Sequence, residues 1–451
     1  MMREPPFSLL RTPKPRSLNG ARVLVLGLGD TGLSVARWVE RQGGTPRVAD
    51  TRASPPRARD YPGELRTGPF TNELLQGIDF VCVSPGLSLD EPVIREALQR
   101  DVRVLGDVEL FAWQNRSKVL AVTGTNGKTT VASLTGHLLR CAGVDCEVAG
   151  NIGPAVLEAA MQRSAPPAAW VLELSSYQLE TTWSLRAQAA AMLNLSEDHL
   201  DRYAGLEEYA AAKARIFLGA GMQVLNRADP RSLAMAIPGA RRVTFGLDAP
   251  PSAQDFGVVN GRLQRGPTPL IAVPELKIHG SHNVSNALAA CALAATTLPL
   301  EAMAQGLRSF EGLPHRLQLV ATRHGVEWYD DSKGTNVGAT IAALRGLARP
   351  VVLILGGEGK GQDFSSLKAP VAGCARNTLL IGRDAPTIEK ALAGLPTERC
   401  ASLEEAVARA ARYAVPGDAV LLSPACASFD MFRDYRHRGE AFAAAVRALR
   451  A

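Results

Sequence analysis

The sequence predicts an α/β protein of three successive domains, each built around a mostly parallel sheet. Two apolar runs of strand length, "ARVLVLG" and "KVLAVTG", each lead into a glycine-rich turn and then a helical pattern. Further runs, "PVVLILG", "NTLLIG" and "DAVLLS", lie near the C-terminal end. A chain of 451 residues has room for two to three domains. We predict a Rossmann-like domain over 1–107, a central P-loop-type ATPase domain over 108–312 and a second Rossmann-like domain over 313–451.

The first domain should begin with a strand–turn–helix–strand unit and continue with two more strands. The strands are predicted in "ARVLVLG", "TPRVADT", "DFVCVSPGL" and "VRVLGDVEL", and a helix in "LSVARWVERQGG". Parallel neighbours need crossover connections, which favours a doubly wound sheet.

The turn of this unit, "GLGDTG" from Gly27 to Gly32, has the G-x-G-x-x-G pattern of dinucleotide sites. Asp50 ends the next strand, where a ribose-binding acid lies in such sites, and Thr51 and Arg52 follow it. The start of the helix favours a phosphate here. The pattern is equally typical of a tight turn in any α/β domain, and NAD(P) is the second candidate ligand.

The central domain is predicted to carry a phosphate-binding loop. The strand "KVLAVTG" runs into "TNGKTT", but Gly124 lies two places later than the pattern G-x-x-x-x-G-K-[ST] requires. Consecutive backbone N–H groups from Gly124 onwards could surround a phosphate, with Lys128 neutralising its charge and Thr129 binding Mg²⁺. The alternative is a surface glycine turn beside a helix start. We favour the phosphate loop, because strand, turn, lysine, hydroxyl and helix agree.

The other strands of this domain are predicted in "AAWVLELSS", "QAAAMLNLS", "MQVLNRAD" and "RRVTFGLD", with a helix in "NVSNALAACALAATTL". Glu173 ends the first of these runs, where ligands lie in open α/β sheets, so it is predicted to bind Mg²⁺, although an isolated strand-end Glu is more often a surface residue. His199, among the acids of "NLSEDHLDRY", could bind a second cation or a charged substrate. Ser196 is predicted to cap a helix at that place.

Three more residues of the central domain have ordinary structural interpretations. Lys213, on the alanine-rich helix "EYAAAKARIF", is by default a solvated lysine or a helix partner of Tyr209 or Glu208. Asn283 and Asn286 in "HNVSNA" share a helix face and could hydrogen-bond an adenine or ribose. Helix capping is the favoured interpretation of both.

Three polar clusters of the third domain each follow an apolar strand. They are "DDSKGTN" with Asp331, Lys333 and Thr335, "GGEGKGQDF" with Lys360, and "SPACASFDMFRDY" with Ser428 and Tyr435. Because parallel strands end at one edge of a sheet, we expect the clusters to form a pocket there. An amphipathic stretch, "RGEAFAAAVRALRA", closes the chain.

Composition narrows the functional classes. The net charge of +6 is spread along the chain without a basic block, which argues against nucleic-acid binding. Seven scattered cysteines without a C-x-x-C pair favour a reducing compartment over a disulfide scaffold or a zinc ribbon. The N-terminal stretch has no apolar run typical of a signal peptide or membrane span, so a cytoplasmic protein without membrane insertion is expected.

Taken together, the motifs resemble those of the Mur ligases. The stretches "TGTNGKTT", "GNIG", "LELSSYQLE", "EDHLDRY", "AAKARIF", "HNVSNA", "LPHR", "DSKGTN", "GGEGK" and "SPACASFD" occur in the order seen in that family. The resemblance covers the chain after its first twenty residues. "GLGDTG", "DSKGTN" and "SPACASFD" are most similar to members that add D-glutamate to UDP-N-acetylmuramoyl-L-alanine. Gly334 departs from the family pattern, which commonly has alanine there.

The resemblance implies an ATP-dependent ligase of peptidoglycan synthesis, acting as a monomer with Mg²⁺ at two sites and a CO2-derived carbamate on Lys213. The implied catalytic residues are Lys128, Lys213, His199 and Glu173. The implied ATP-binding residues are Gly124, Thr125, Asn126, Gly127, Lys128, Thr129, Thr130, Asn283, Asn286, Arg316 and Asp331. The implied metal ligands are Thr129, Glu173, His199 and carbamylated Lys213.

The resemblance also implies two sets of substrate residues. The set for the uridine-linked substrate is Gly29, Asp30, Thr31, Thr51, Arg52, Ser84, Asn151 and Ser175. The set for D-glutamate is His199, Lys333, Thr335, Lys360, Ser428, Phe429 and Tyr435. In the implied reaction, ATP phosphorylates the substrate carboxylate and the amine of D-glutamate attacks the acyl phosphate. Since water would hydrolyse that intermediate, we expect the third domain to close over the second.

Overall fold

The computed structural model describes residue 10 and residues 17–199, 202–347 and 349–449. Contacts divide the chain into two compact units. One contains the described residues up to Leu195, Arg202–Leu270 and Leu288–Gly306, and the other contains residues 196–199, Ile271–Ala287 and those from Leu307 onwards. None of the helices in these described ranges has an apolar stretch long enough to cross a bilayer.

The first sheet is parallel, with the strand order β3–β2–β1–β4–β5. Its strands are β1 (Arg22–Leu26), β2 (Thr45–Asp50), β3 (Leu65–Thr67), β4 (Phe80–Val83) and β5 (Arg103–Leu105), and its helices are α1 (Asp30–Arg41), α2 (Pro92–Gln99) and α3 (Asp107–Gln114). β1, β2 and β4 confirm predicted strands, whereas β3 was not predicted. The prediction of one strand in "VRVLGDVEL" is wrong beyond Leu105, because Asp107 and Glu109 place negative charge in the first turn of α3, which stabilises a helix.

The second sheet is mixed, with the order β14–β13–β12–β11–β10–β9–β6–β8–β7. Its strands are β6 (Lys118–Thr123), β7 (Cys146–Gly150), β8 (Ala169–Glu173), β9 (Ala189–Met192), β10 (Gln223–Asn226), β11 (Arg242–Phe245), β12 (Phe256–Val259), β13 (Arg262–Arg265) and β14 (Thr268–Ala272). All pairs from β7 to β12 are parallel, and β12 and β13 are antiparallel. This hairpin was not predicted, although Asn260 and Gly261, both at positive φ, form a typical two-residue hairpin turn.

The helices of the central region follow its strands in the expected alternation. They are α4 (Lys128–Cys141), α5 (Val156–Gln162), α6 (Ser176–Glu180), α7 (Leu206–Ala214), α8 (Pro230–Ala234), α9 (Ser281–Ala294) and α10 (Met303–Ser309). α4 and α9 confirm helices that the sequence predicts.

The third sheet has the order β15–β16–β20–β17–β18–β19, and β15 is antiparallel to β16. Its strands are β15 (Gln318–Arg323), β16 (Val326–Asp330), β17 (Val351–Gly356), β18 (Ala375–Ile381), β19 (Thr397–Arg399) and β20 (Ala419–Leu422). Its helices are α11 (Val337–Leu347), α12 (Lys368–Cys374), α13 (Ala385–Ala391), α14 (Leu403–Tyr413) and α15 (Tyr435–Ala448). The predicted strands at β16, β17, β18 and β20 are confirmed.

Both faces of this third sheet are covered, which explains why its strands are unbroken apolar runs. In β17, Val351 and Leu353 belong to one buried cluster and Val352 and Ile354 to another. Helices α11 to α13 pack on the first face and α14 and α15 on the second. The strand ends are therefore held firmly, and the loops that follow them start from fixed positions.

Candidate active site

The predicted phosphate loop lies between β6 and α4, as expected. Gly124 has a φ of +151° and Gly127 a φ of +87°, and both conformations favour glycine. A Cβ atom at Gly124 would also lie 3.0 Å from the Cβ of Leu193. The displaced first glycine is therefore required where the loop passes the end of β9.

The loop combines positive charge with backbone donors. The Lys128 ammonium donates to the carbonyl oxygens of Gly124 at 2.9 Å and Thr125 at 2.7 Å. α4 begins at Lys128, and the backbone N–H groups at the start of a helix point out from its end, towards the loop that precedes it. The N–H groups of Thr125 and Asn126 instead donate to Asn194. The expectation that consecutive N–H groups surround a phosphate is therefore wrong for these two.

Glu173 ends β8 next to β6 in the parallel sheet. It is only 1% exposed, so its interpretation as a surface residue is wrong. Its Oε1 accepts a 2.7 Å hydrogen bond from the Asn151 amide, while its buried Oε2 has no hydrogen-bond partner among the described residues. A buried carboxylate oxygen without a donor is unfavourable unless a cation or ligand meets it. Glu173 therefore suits the predicted role of a Mg²⁺ ligand.

Lys213 is also only 1% exposed, so its default interpretation as a solvated lysine is wrong. Its Nζ donates to the Gly124 carbonyl oxygen at 2.8 Å and lies 4.6 Å from the centre of the Tyr209 ring, the helix partner that the sequence allowed. The Gly124 oxygen accepts hydrogen bonds from Lys128 and Lys213 alike. Two ammonium groups thus meet at the loop, and such a concentration of positive charge suits a polyphosphate.

A magnesium ion at this edge would not have a cage of protein carboxylates. Within the described ranges, no group of three or more His, Cys, Asp or Glu side chains could hold a metal ion. Mg²⁺ is commonly bound by one or two carboxylates together with phosphate and water oxygens. The half-paired Glu173 carboxylate and the partly exposed Thr129, at the start of α4, fit that mode of binding.

His199 lies in a segment that groups with the second compact unit. Residues 196–199 are not helical and α7 starts only at Leu206, so the predicted helix cap by Ser196 is wrong. His199 has a φ of +55°, and its Nε2 lies 3.8 Å from Asp198 Oδ2, which accepts a 3.4 Å hydrogen bond from Asn336. The imidazole of His199 is partly exposed and so accessible to solvent.

Asn283 and Asn286 lie inside α9 rather than before its start, so the favoured capping interpretation is wrong. They share a helix face, as predicted, because Asn286 Nδ2 donates to Asn283 Oδ1 at 3.1 Å. Asn283 Nδ2 donates in turn to the His279 carbonyl oxygen at 2.8 Å. The two buried amides are held in one orientation, and their contact with a nucleotide stays a prediction.

The glycine turn of the first sheet has a fully paired carboxylate beside it. The Asp50 oxygens accept hydrogen bonds from the Arg52 guanidinium at 2.8 and 2.6 Å and from the Leu28 N–H at 2.7 Å. Chiefly because of the bond to Arg52, the pKa of Asp50 falls to about 2. An acid that binds a ribose hydroxyl needs an accepting oxygen, and both oxygens of Asp50 are already used. This geometry disfavours NAD(P).

The other predicted residues for the uridine-linked substrate divide between two sheets. Those in the first domain are Gly29, Asp30 and Thr31 at the start of α1, Thr51 after β2 and Ser84 after β4. Ser84 donates to the Gly27 carbonyl oxygen at 3.1 Å, which places it against the glycine turn, and Asp30 accepts from Arg57 at 2.6 Å. Asn151 and Ser175 follow β7 and β8, and the Ser175 side chain caps α6.

The polar clusters of the third sheet gather at one edge, as predicted. β16, β20 and β17 are adjacent and parallel, so the loops that follow them leave from the same side. Lys333 Nζ lies 4.1 Å from the centre of the Tyr435 ring, and Lys360 Nζ lies 5.8 Å from the centre of the Phe429 ring. Ser428 is buried in the loop after β20. This edge therefore carries two ammonium groups, which suit a ligand with carboxylates.

Asp331 follows β16 and is bonded inside its own domain. Its oxygens accept hydrogen bonds from the Ser423 hydroxyl at 2.7 Å and the Leu317 N–H at 3.1 Å. Burial raises the pKa of Asp331 to about 7, against the opposing effects of Ser423 and of the Arg316 charge. Arg316 and Asp331, both predicted to contact the nucleotide, are thus brought together, and the partly exposed Thr335 lies further along the same loop.

Arg438, a buried arginine that joins two of these loops, was not predicted as a site residue. Its guanidinium donates to the Ser332 hydroxyl and carbonyl oxygens at 2.9 and 2.8 Å, and to the carbonyl oxygens of Cys426 and Ala427 at 3.1 and 3.3 Å. Burial lowers the pKa of Arg438 to about 10, so the group stays charged at neutral pH. A signal was present in the sequence, because Arg438 lies one helical turn from the buried Phe442 on α15.

The fold and the site are those of an α/β enzyme with a glycine-rich, lysine-bearing loop at the end of a strand of its central sheet. Family models agree with this class. The Mur ligase MurD-like N-terminal domain matches residues 21–106, the Mur ligase middle domain matches 122–294 and the Mur ligase glutamate ligase domain matches 315–426. The chain belongs to the Mur ligase family, which is ATP-dependent, and has its three-domain α/β fold.

Individual relatives match nearly the whole chain. The UDP-N-acetylmuramoylalanine--D-glutamate ligase of Nitrosospira multiformis is 53% identical, over 96% of this chain and 97% of its own length. The protein of the same name from Thiobacillus denitrificans is 54% identical, over 96% and 98%. Among solved structures, the UDP-N-acetylmuramate-alanine ligase MurC of Thermotoga maritima has a TM-score of 0.60 at 18% identity, covering 95% of this chain and 99% of that one. MurF from Acinetobacter baumannii has a TM-score of 0.62 at 18% identity, covering 97% and 92%. At such identities the structural likeness shows the fold alone.

Proposed function

We propose that this chain joins D-glutamate to UDP-N-acetylmuramoyl-L-alanine with ATP, in the cytoplasmic synthesis of peptidoglycan precursors. The observation that carries the proposal is the arrangement at the carboxyl edge of the central sheet. There Lys128 and Lys213 share the Gly124 carbonyl oxygen, and Glu173 ends the strand next to β6 with one unpaired carboxylate oxygen. The names of relatives at 53% and 54% identity support the choice of substrates.

ATP phosphates are assigned to the loop between β6 and α4. The Lys128 ammonium and the N–H groups of the first turn of α4 are fixed donors, which stabilise negative charge without reorganising. Asn283, Asn286, Arg316 and Asp331 are the proposed contacts to the rest of the nucleotide.

Glu173, the Thr129 hydroxyl, His199 and a carbamate on Lys213 are the proposed ligands of Mg²⁺ at two sites. Bound Mg²⁺ would neutralise charge on the phosphates. Carbamylation joins the deprotonated Lys213 amine to the carbon of CO2 and releases a proton. It exchanges an ammonium group, which repels a cation, for an anion that attracts one. The carbamate keeps one N–H on Nζ for the hydrogen bond to the Gly124 carbonyl oxygen.

The proposed reaction has two steps. A carboxylate oxygen of UDP-N-acetylmuramoyl-L-alanine attacks the γ-phosphorus of ATP, which forms an acyl phosphate and releases ADP. The neutral amine of D-glutamate then attacks the acyl carbon, and the tetrahedral intermediate expels phosphate, which leaves as hydrogen phosphate with the proton that the nitrogen loses. Lys128 stabilises the charge that develops on the transferred group in the first step.

The substrate ends are assigned to the first and third domains. The uridine-linked end is assigned to Gly29, Asp30, Thr31, Thr51, Arg52, Ser84, Asn151 and Ser175. D-glutamate is assigned to His199, Lys333, Thr335, Lys360, Ser428, Phe429 and Tyr435. The two lysines at one sheet edge support this assignment, because D-glutamate carries two carboxylates.

The proposed working unit is a monomer with domains at 1–107, 108–312 and 313–451. Protecting an acyl phosphate from water requires the third domain to close over the second. Small-angle scattering with and without ligands measures this closure, and identical profiles would contradict it.

An assay of ADP release across candidate amino acids tests the proposed reaction. We expect ADP and phosphate only when UDP-N-acetylmuramoyl-L-alanine and D-glutamate are both present. Turnover with L-lysine or diaminopimelate instead would move the assignment to another Mur ligase activity. Nucleotide binding without any amide product would indicate a non-catalytic binding module. Reduction of a substrate with bound NAD(P)H would support the second candidate function, which the paired Asp50 disfavours.

A further inference from the structure

Asn194 holds the phosphate loop from the neighbouring strand. It lies two residues beyond the end of β9 and is partly buried. Its backbone carbonyl accepts from the Thr125 N–H at 2.9 Å, its Oδ1 accepts from the Asn126 N–H at 2.9 Å, and its Nδ2 donates to the Asn126 carbonyl oxygen at 3.0 Å. The side-chain amide pairs with Asn126 as one strand residue pairs with another. The middle of the loop is thereby fixed to the sheet.

The close approach at Gly124 makes this attachment specific. A Cβ atom at Gly124 would lie 3.0 Å from the Leu193 Cβ and 3.3 Å from both the N and O atoms of Asn194. Loop and strand end are therefore in van der Waals contact. An amide supplies the donor and the acceptor together. At position 194, aspartate would keep only the hydrogen-bond acceptor, and alanine would have neither the donor nor the acceptor.

We propose that Asn194 is a positioning residue that sets the loop for the phosphates of ATP, an inference that rests on the proposed function. Its backbone carbonyl oxygen and its side-chain Oδ1 accept hydrogen bonds from the N–H groups of Thr125 and Asn126. Lys128 and the first turn of α4 follow these two residues closely in the chain, so fixing Thr125 and Asn126 also fixes where the helix starts. Without the amide, the loop gains conformations that do not bind phosphate, and apparent affinity falls with the fraction that remains competent.

Calorimetric binding of a non-hydrolysable ATP analogue with Mg²⁺ tests this role in the full chain, alongside ligase kinetics. For Asn194→Ala we expect affinity to weaken about 30-fold, the effect of losing two hydrogen bonds. The KM for ATP should rise by a similar factor, while the KM for D-glutamate should stay unchanged. A loss of structure alone would not separate the two KM values.

Asn226→Ala is the matched control. The Asn226 side-chain amide donates to the Leu193 carbonyl oxygen at 2.8 Å, one residue from Asn194, and its Oδ1 accepts from the Ala228 N–H at 2.9 Å. The Asn226→Ala variant should bind the ATP analogue with the affinity of the wild type. Unchanged affinity in Asn194→Ala, or an equal loss in Asn226→Ala, would overturn the inference.

A second variant keeps the test decisive if Asn194→Ala does not fold. Asn194→Leu keeps the approximate size of the side chain and adds no charge, but it removes both hydrogen bonds to Asn126, so weaker analogue binding at an unchanged unfolding midpoint supports the role of Asn194, and unchanged binding refutes it. Binding is measured without turnover. A wild-type protein that binds the analogue but forms no amide would therefore refute the proposed function and leave the role of Asn194 intact.

Discussion

Two buried strand-end carboxylates, Asp50 of the first sheet and Glu173 of the second, have opposite surroundings. Both are at most 2% exposed, so burial does not distinguish them. Both Asp50 oxygens are paired, mainly with Arg52, whereas Glu173 has one oxygen paired with an amide and one without a partner among the described residues. Asp50 therefore fixes the turn around it, and Glu173 keeps an oxygen for a ligand.

The residue two places further along the chain accounts for much of this difference. Arg52 follows Asp50 and neutralises it, while Ser175 follows Glu173 and uses its side chain to cap α6. A glycine turn near a strand-end acid therefore does not identify a ligand site by itself. A carboxylate oxygen that has no hydrogen-bond partner within the protein is the feature that indicates one.

Glu173→Gln should have the largest effect on activity. The substitution keeps the shape of the side chain but removes the charge that attracts Mg²⁺, so kcat in the ligase assay should fall about 1,000-fold. Asp50→Asn is the matched variant, and it should retain ligase activity when the uridine-linked substrate is saturating. Similar losses in both variants would remove the distinction between the two carboxylates.

Lys213→Ala should have the next largest effect. Loss of the proposed carbamate leaves Glu173 without a second anion nearby, and we expect at least a 100-fold loss of kcat, about the effect of one preorganised group. Chloride or another small anion should restore part of the activity. Lys277→Ala, which removes an exposed lysine paired with Glu311, is the control. Full activity of Lys213→Ala would contradict the carbamate.

Asp50 and Asp331 should change stability in opposite directions with pH. The folded pKa of Asp50 lies near 2, below its unfolded value, so it contributes about 2 kcal/mol above pH 4, and this contribution disappears as pH falls towards 2. The folded pKa of Asp331 lies near 7, above its unfolded value, so its contribution decreases as pH rises from about 4 to 7. In urea unfolding, Asp50→Asn should therefore be most destabilising near pH 6. The stability of Asp331→Asn relative to the wild type should rise between pH 4 and 7. If the stability differences of the two variants from the wild type changed in parallel with pH, the opposite pKa shifts of Asp50 and Asp331 would be contradicted.

Arg52→Lys should have the smallest effect. Lysine keeps the charge beside Asp50 but cannot make the paired guanidinium contacts, so unfolding free energy should fall by about 1 kcal/mol. NMR titration should show the pKa of Asp50 moving back towards its usual value. An unchanged pKa and unchanged stability would indicate that the Leu28 N–H, rather than Arg52, holds the carboxylate.

Local patterns in the sequence were sufficient to predict most of the fold and the position of the glycine-rich loop between β6 and α4. Strand-length apolar runs identify β6, β8 and β17 because both faces of these strands are covered. Patterns were not sufficient to predict that Lys213 is buried. The alanines next to it in α7 give no contrast between a buried and an exposed face of the helix. The bond from Lys213 to Gly124 spans 89 positions of the chain, and that from Asn126 to Asn194 spans 68. Contacts at such separations depend on the order of strands in the sheet, which local spacing does not contain.

Mn²⁺ binding in the presence of an ATP analogue, measured by electron paramagnetic resonance, tests the distinction between Asp50 and Glu173 most directly. If the unpaired oxygen of Glu173 is a metal ligand, Glu173→Gln should bind Mn²⁺ at least about tenfold more weakly than the wild type. Asp50→Asn should bind it as the wild type does. Wild-type Mn²⁺ affinity in Glu173→Gln, or weakened affinity in Asp50→Asn, would contradict the account.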